Sequence, residues 1–140
     1  MRRTLCLLTV ALLVAPSLGS DAPKDDATAR TDELEGTWRL VAYRADPGQP
    51  FTQFERFGEI TYRGGRWSSH FGFAARAGTY TTDPGRRHLD ATTESGRARR
   101  HLYRVGIDRL WVATVGGGQV RPESFDQEGV TVSEYERVKK

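Results

Sequence analysis

The sequence predicts an all-β fold, a small eight-stranded antiparallel barrel of the up-and-down type. Short runs of β-forming residues recur along the chain, Gly, Pro and Asp clusters separate them, and no helix of three or more turns is indicated. Eight short strands that close on themselves leave no free sheet edge and enclose an interior. The predicted strands are Gly36–Arg44, Glu59–Arg63, Arg66–Phe73, Gly78–Thr82, His88–Thr93, Arg100–Val105, Arg109–Val115 and Val132–Val138.

The chain begins with the features of a secretory signal peptide. Arg2 and Arg3 supply positive charge, residues 5–15 are apolar, and Pro16 ends the apolar run. Small residues before the boundary predict a signal peptide of residues 1–19, with residues 20–22 as a second candidate cleavage site. The apolar run is too short for a bilayer core of about 30 Å, although an uncleaved anchor is the alternative. We expect an extracytoplasmic location, periplasmic or secreted, without a stable membrane anchor.

A polar segment separates the signal peptide from the predicted barrel. Residues 20–33 contain no aromatic residue and no Val, Ile or Leu, which predicts a flexible spacer. One domain then follows, over residues 34–140. The single cysteine, Cys6, lies in the predicted signal peptide, so the mature protein would have no disulfide, thiol nucleophile or cysteine-ligated zinc.

The charge balance does not indicate a nucleic-acid-binding protein. The whole chain has 21 basic and 18 acidic residues, a net charge of +3. Cleavage after residue 19 would remove Arg2 and Arg3 and leave 19 basic residues against 18 acidic ones. We therefore expect no nucleic-acid partner.

The alternation of side chains along three strands predicts which face of each strand is inside. One face carries mostly apolar residues, as expected for a barrel interior. These positions are Trp38, Leu40 and Ala42 in the first strand, Trp67, Ser69, Phe71 and Phe73 in the third, and Leu110, Val112 and Thr114 in the seventh.

The hairpin between the fifth and sixth predicted strands has a turn that we centre on Ser95-Gly96. This register places Leu89 opposite Leu102 inside the barrel and Asp90 opposite His101 outside it. It also places His101 on the outer surface, within reach of Asp90.

Two connections are too long for tight turns. Residues 45–57 include Phe51, Phe54 and Phe57, which either close the end of the core or form a mobile lid over the barrel mouth. Residues 116–129 include Phe125, which we expect to pack against the barrel.

Several short motifs recur along the predicted domain in a characteristic order and spacing. They are Leu34-Glu35-Gly36-Thr37-Trp38, Gly78-Thr79-Tyr80 with Asp83-Pro84, Leu89-Asp90, Tyr103, Leu110, Arg121-Pro122-x-x-Phe125 and Val138-Lys139-Lys140. With these motifs, residues 34–140 resemble a family of exported bacterial lipocalin-like domains of uncharacterised function. The resemblance implies a small extracytoplasmic barrel, without catalytic residues to transfer. In lipocalins an Arg of the last strand packs over the first-strand Trp, and Arg137 would take this place over Trp38 if the register allows.

No motif of a known chemistry is present. His70, His88 and His101 lack the spacing of metal ligands, and Gly116-Gly117-Gly118 lacks the helix and the Lys-Ser/Thr of a phosphate loop. A Gly-x-Ser-x-Gly elbow is also missing. We expect no metal and no cofactor, and an enzyme assembled inside the barrel is a remote alternative.

A basic cluster on one predicted hairpin is the best-defined surface feature. Arg87 begins one strand, and Arg97, Arg99 and Arg100 lie around the start of the next. The cluster either binds an anionic partner or is a solvated strand surface whose charge deters edge pairing, and the second interpretation is favoured.

The leading functional hypothesis is an exported, non-catalytic binding module for a small apolar molecule inside the barrel. The alternative is a structural or protein-interaction domain of the cell envelope with a filled core. The expected partner is accordingly a small hydrophobic molecule or an envelope protein. The predicted ligand-binding residues are Trp38, Leu40, Phe54, Trp67, Phe71, Phe73 and Leu110.

Overall fold

The structure, a computed structural model, describes residues 33–139. The predicted signal peptide and all of the predicted spacer except Glu33 lie outside the described residues and stay predictions. The strands are β1 (Gly36–Arg44), β2 (Thr52–Gln53), β3 (Gly58–Arg63), β4 (Arg66–Phe71), β5 (Ala74–Asp83), β6 (His88–Thr93), β7 (Ala98–Val105), β8 (Arg109–Val115) and β9 (Val130–Arg137).

The strands form one closed antiparallel barrel, which confirms the predicted fold class. From β3 onward each strand pairs with the next one in sequence, and β1 pairs with both β3 and β9. The two-residue β2 adds to β1 beyond the point where β3 ends. The barrel therefore has eight main strands, and the residues described contain no helix.

One end of the barrel is closed by the segment that precedes β1. The Trp38 Nε1–H donates to the Leu34 carbonyl at 2.8 Å, and both side chains are fully buried. The Arg137 guanidinium lies 4.0 Å from the centre of the Trp38 ring and donates to the Glu35 carbonyl. The expected Arg137–Trp38 contact is confirmed, and we call this end the closed end.

The opposite end, the open end, carries the β4–β5 and β6–β7 turns. Strand β4 stops at Phe71, and Gly72 turns the chain with a φ of +59°, a conformation that favours glycine. Phe73 lies in this turn and is fully exposed. Its predicted place in the barrel interior is therefore wrong, because β4 ends two residues before it.

A β-bulge changes the inward face of β1. Leu40 pairs with Tyr135, but Ala42 pairs with the next residue of β9, Glu134. Because the extra residue reverses the alternation, Ala42 no longer shares the inner face with Leu40. The predicted inward face of this strand holds for Trp38 and Leu40 only.

The long connection of residues 116–129 covers a second apolar cluster on the outside of β7, β8 and β9. Phe125 packs against this cluster, as predicted. The Arg104 guanidinium lies 4.6 Å from the centre of the neighbouring Trp111 ring. The buried members of the cluster are Leu102, Ala113, Val130 and Val132.

Candidate ligand-binding site

A cavity of about 380 Å³ occupies the barrel interior toward its open end. Ala74 and Arg76 belong to its lining and are exposed, so the cavity opens to solvent on their side. Its apolar wall consists mainly of Ile60, Tyr62, Trp67, Phe71, Val112 and Tyr135.

The predicted ligand-binding residues take several different positions. Trp67 and Phe71 line the cavity. Phe54 packs against the core beside Phe71, where a Cβ placed on Gly58 would meet both rings. The remaining predicted interior residues, Trp38, Leu40 and Leu110, are buried in the core but are not part of the cavity lining.

Residues 45–57 were expected either to close the end of the core or to form a lid with their three phenylalanine rings. One of these rings packs against the core. Phe54 is partly buried against the core, and its backbone N–H donates to the Val41 carbonyl at 2.8 Å. Phe57 and Phe51 are exposed. Phe54 thus closes part of the open end, whereas the other two rings do not.

The β6–β7 hairpin has a register one residue away from the predicted one. Leu89 pairs with His101, and Asp90 pairs with Arg100. The turn is centred on Ser95 rather than on Ser95-Gly96, and a shift of one residue moves each side chain of a strand to the other face. His101 therefore points inward and Leu102 outward, so the predicted outer position of His101 is wrong.

The basic cluster predicted for this hairpin is divided by the fold. Arg99 lines the cavity, so its assignment to the outer surface is wrong. Arg97 and Arg100 are exposed near the open end, whereas Arg87 lies in the turn at the other end of β6. Since a six-residue strand spans roughly 20 Å, the four arginines do not form one patch.

Polar side chains complete the cavity beside the apolar wall. Arg76 and Arg99 lie close to the open ends of β5 and β7, and His101 lies one inward position deeper than Arg99. The other polar lining residues are Ser69, Thr93, Thr114 and Ser133. The site is therefore amphipathic, with its positive charge at the mouth.

His101 is held in a neutral, hydrogen-bonded state. Its Nδ1 lies 2.8 Å from the Thr114 Oγ1. Burial, together with the positive charges of Arg99 and Arg121, lowers the pKa of His101 to about 4, although Asp90 acts in the opposite direction. The imidazole therefore contributes a polar but uncharged surface to the cavity at neutral pH.

We expect His101 to make the barrel less stable in mild acid. Its pKa falls from 6.5 to about 4 on folding, so the unfolded chain binds the proton more tightly. The resulting contribution to the free energy of unfolding is up to about 3 kcal/mol. It is fully present above pH 6.5 and is lost as the pH falls toward 4. Urea unfolding at several pH values should show a steeper loss for the wild type than for His101→Gln.

The exposed His70 supplies the matched control for this titration. His70→Gln makes the same substitution at an exposed position of β4 and so controls for the exchange of His for Gln itself. Equal pH dependence for the wild type and His101→Gln would contradict the buried neutral imidazole.

The phenols of the cavity wall are uncharged at physiological pH. Burial raises the pKa of the Tyr135 phenol to about 12 and raises that of Tyr62 further. The Tyr62 ring meets the Tyr80 ring edge to face, with 4.9 Å between their centres. These rings give the inner part of the cavity an apolar character.

Trp67 has a buried hydrogen-bond donor with no acceptor. Its Nε1 is buried and has no partner among the residues described, although the ring lines the cavity. A buried, unpaired N–H costs about 1–3 kcal/mol. This N–H lies against Gly78 of the neighbouring strand, where an added Cβ would be 2.9 Å from the Trp67 Nε1.

Sequence reasoning missed Arg76 and Arg121. Arg76 was hidden because Ala74–Ala77 were assigned to a connection, whereas β5 begins at Ala74. Counting back from Tyr80 in steps of two would have placed Arg76 on the inner face. Arg121 donates to the His101 carbonyl and forms an ion pair with Asp90, and no local pattern indicated this contact.

Residues 33–139 contain no group of three or more His, Cys, Asp or Glu side chains arranged to hold a metal ion. The same residues contain no helix long and apolar enough to cross a membrane.

Two solved structures resemble this barrel. A DUF4847 family protein from Bacteroides vulgatus superposes with a TM-score of 0.55 at 11% identity, over 80% of this chain and 99% of that one. Apocrustacyanin C2 gives a TM-score of 0.43 at 15% identity, over 81% of this chain and 65% of that one. No family model and no curated protein matches the sequence. The first likeness supports the fold and carries no information on a ligand.

Proposed function

We propose that this protein is a non-catalytic binding module that holds a small, largely apolar molecule in the barrel cavity. The observation that carries the proposal is the cavity of about 380 Å³, walled by aromatic and branched side chains and open at one end. The signal peptide expected at residues 1–19 would place this binding outside the cytoplasm, in the periplasm or the medium.

The size of the cavity limits the molecule it can hold. Ligand sites in proteins are commonly about 300–1,000 Å³, and a cavity of about 150 Å³ already admits benzene. At about 380 Å³, this cavity suits a short alkyl chain or a pair of rings. Burial of one CH2 group contributes about 0.8 kcal/mol, so an alkyl chain of about ten carbons gains at most about 8 kcal/mol, which corresponds to a Kd no tighter than about micromolar.

The geometry also gives the direction of entry. Trp38, Leu34 and Arg137 occupy the closed end, where Trp38 and Leu34 leave no exposed surface. The exposed Ala74 lies on the cavity lining at the opposite end. A ligand therefore enters between the β4–β5 hairpin and the open end of β7.

The cavity argues against the two other functional hypotheses. A structural or interaction domain with a filled core would not leave this internal volume. For the enzyme hypothesis, His101 is the histidine that reaches the lining among residues 33–139, its imidazole is neutral, and no Asp or Glu of these residues belongs to that lining. A site without a paired acid and base supports binding rather than general acid–base chemistry.

Two adjacent alanines of β5 provide the test. Ala74 lines the cavity, whereas Ala75 pairs with the outward His70 on the opposite face, and both are exposed. Ala74→Trp should obstruct the mouth and raise the Kd for decanol by about tenfold, or about 1.4 kcal/mol. Ala75→Trp should leave it unchanged, and titration calorimetry on both variants checks this.

The same experiment can contradict the proposal. Circular dichroism first establishes that both variants are folded. If the wild type fails to bind decanol, or if Ala74→Trp binds it as tightly as Ala75→Trp does, the cavity is not the binding site.

A further inference from the structure

We propose that the molecule bound in the cavity is an amphiphile with one anionic head, and that Arg76 and Arg99 hold this head at the mouth. The inference rests on the proposed binding function and names its ligand class. The apolar body would lie against Trp67 and Phe71, with the head toward solvent.

Arg99 is built into the cavity rather than lying on the surface. It occupies an inward position of β7, two residues before His101, and lines the cavity. Its side-chain stem packs against Gly118, where an added Cβ would lie 3.3 Å from the Arg99 Cγ. Gly118 also has a φ of +79°, so a glycine lets this turn close against Arg99. The stem of Arg99 is thus directed by the fold.

Arg76 brings a second guanidinium to the same place. Arg76, Thr93 and Arg99 line both the cavity and a shallower depression of about 270 Å³ outside its mouth. Arg97 and Glu94 also line the depression. The Glu94 carboxylate lies 3.9 Å from the Arg66 guanidinium. Three guanidinium groups therefore surround the mouth with one carboxylate among them.

Among the residues described, the two arginines that line the cavity mouth have no partner of opposite charge. Within residues 33–139, neither Arg76 nor Arg99 has a carboxylate at ion-pair distance. By contrast, six arginines elsewhere on the barrel lie within ion-pair distance of a carboxylate. They are Arg39 with Glu59, Arg44 with Asp126, Arg66 with Glu94, Arg86 with Asp83, Arg109 with Glu134 and Arg121 with Asp90.

Unpaired guanidinium groups beside an apolar cavity favour an anion. Like charges repel, and a guanidinium presents paired N–H donors that match a carboxylate, sulfate or phosphate group. The positive potential extends into the cavity, since Arg99 is one of the causes of the lowered pKa of His101. A cationic head would meet repulsion at this mouth, and a neutral head would leave the charges unmatched.

The experiment compares the binding of decanoate with that of decanol in the protein without its expected signal peptide, residues 20–140. Arg99→Gln and Arg76→Gln should each weaken decanoate binding about tenfold, because each removes a charged hydrogen-bond partner. The Kd of decanol, which has the same apolar body, should change far less than that of decanoate, so the ratio of the two Kd values reports the contact with the anionic head. Arg100→Gln is the matched control, because Arg100 is adjacent to Arg99 in sequence and lies on the outer face.

Added salt gives an independent readout of the same contact. The affinity for decanoate should fall with increasing ionic strength, whereas the affinity for decanol should not. Both probes are measured by titration calorimetry at constant pH.

The outcomes separate this inference from the proposed function. If decanol binds but Arg99→Gln and Arg76→Gln leave decanoate unaffected, or Arg100→Gln weakens it equally, the anionic-head inference is overturned and the cavity proposal stands. If decanol does not bind, the cavity proposal fails, and this inference fails with it whether or not decanoate binds. Inorganic phosphate is the final probe. If micromolar phosphate displaces decanoate, the arginines form a simple anion site, and the proposal of an amphiphilic ligand is overturned.

Discussion

Trp38→Ala is expected to lower the free energy of unfolding by about 4 kcal/mol, in line with truncation of a large buried aromatic ring. Trp38 is fully buried, and its indole N–H donates to the Leu34 carbonyl at 2.8 Å. The ring also supports the guanidinium of Arg137, 4.0 Å from its centre. Its removal would leave a void at the closed end and release the segment that covers it. Urea unfolding monitored by circular dichroism measures the loss.

The same variant distinguishes a structural role from a ligand-binding one. Because Trp38 is not part of the cavity lining, the folded variant should bind decanol with an unchanged Kd. Trp38→Phe is the control that keeps most of the volume and removes the N–H, and it should cost about 1 kcal/mol for the lost hydrogen bond. Weaker decanol binding with little loss of stability would contradict this assignment.

Gly78→Ala is expected to destabilise the barrel by about 3 kcal/mol or more, as a severe case of overpacking. A Cβ on Gly78 would lie 1.8 Å from the Thr92 carbonyl oxygen and 2.9 Å from the Trp67 Nε1. The oxygen belongs to the backbone of β6, so the clash can be relieved only by separating β5 from β6. Thermal unfolding followed by circular dichroism measures the effect.

Gly85→Ala is the matched substitution at an open position. A Cβ there comes no closer than 3.4 Å, to the Asp83 carboxylate, and the backbone φ is not in the left-handed region. Such a change is expected to be neutral or to stabilise by about 0.4–1 kcal/mol through the unfolded state. Equal effects at the two glycines would show that the strands are not packed as closely as described.

The barrel itself could be predicted from the sequence because its signals are local. β-forming runs and Gly- or Pro-containing turns recur at short intervals, and these are sufficient to specify sequential antiparallel strands. The predicted strands Gly36–Arg44, His88–Thr93 and Arg109–Val115 match β1, β6 and β8 residue for residue. The contact of Arg137 with Trp38 followed from the family resemblance.

The cavity mouth could not be predicted because it depends on register. The exact length of the β6–β7 turn decides whether Arg99 and His101 point in or out, and the pattern around Ser95 fits two turns that differ by one residue. The start of β5 was missed for a different reason. Its first four residues include three alanines, which have low β-propensity, so the pairing with β4 determines their conformation.

The most direct test of the proposed cavity is the nitrogen–proton NMR spectrum of the three indole groups. Trp67 lines the cavity, Trp38 is hydrogen-bonded at the closed end, and Trp111 lies on the outer face beneath Arg104. Assignment uses single Trp→Phe variants. On titration with decanol, the Trp67 signal should shift while those of Trp38 and Trp111 stay in place. A shift of Trp111 alone, or an unchanged Trp67 signal under saturating decanol, would contradict binding inside the barrel.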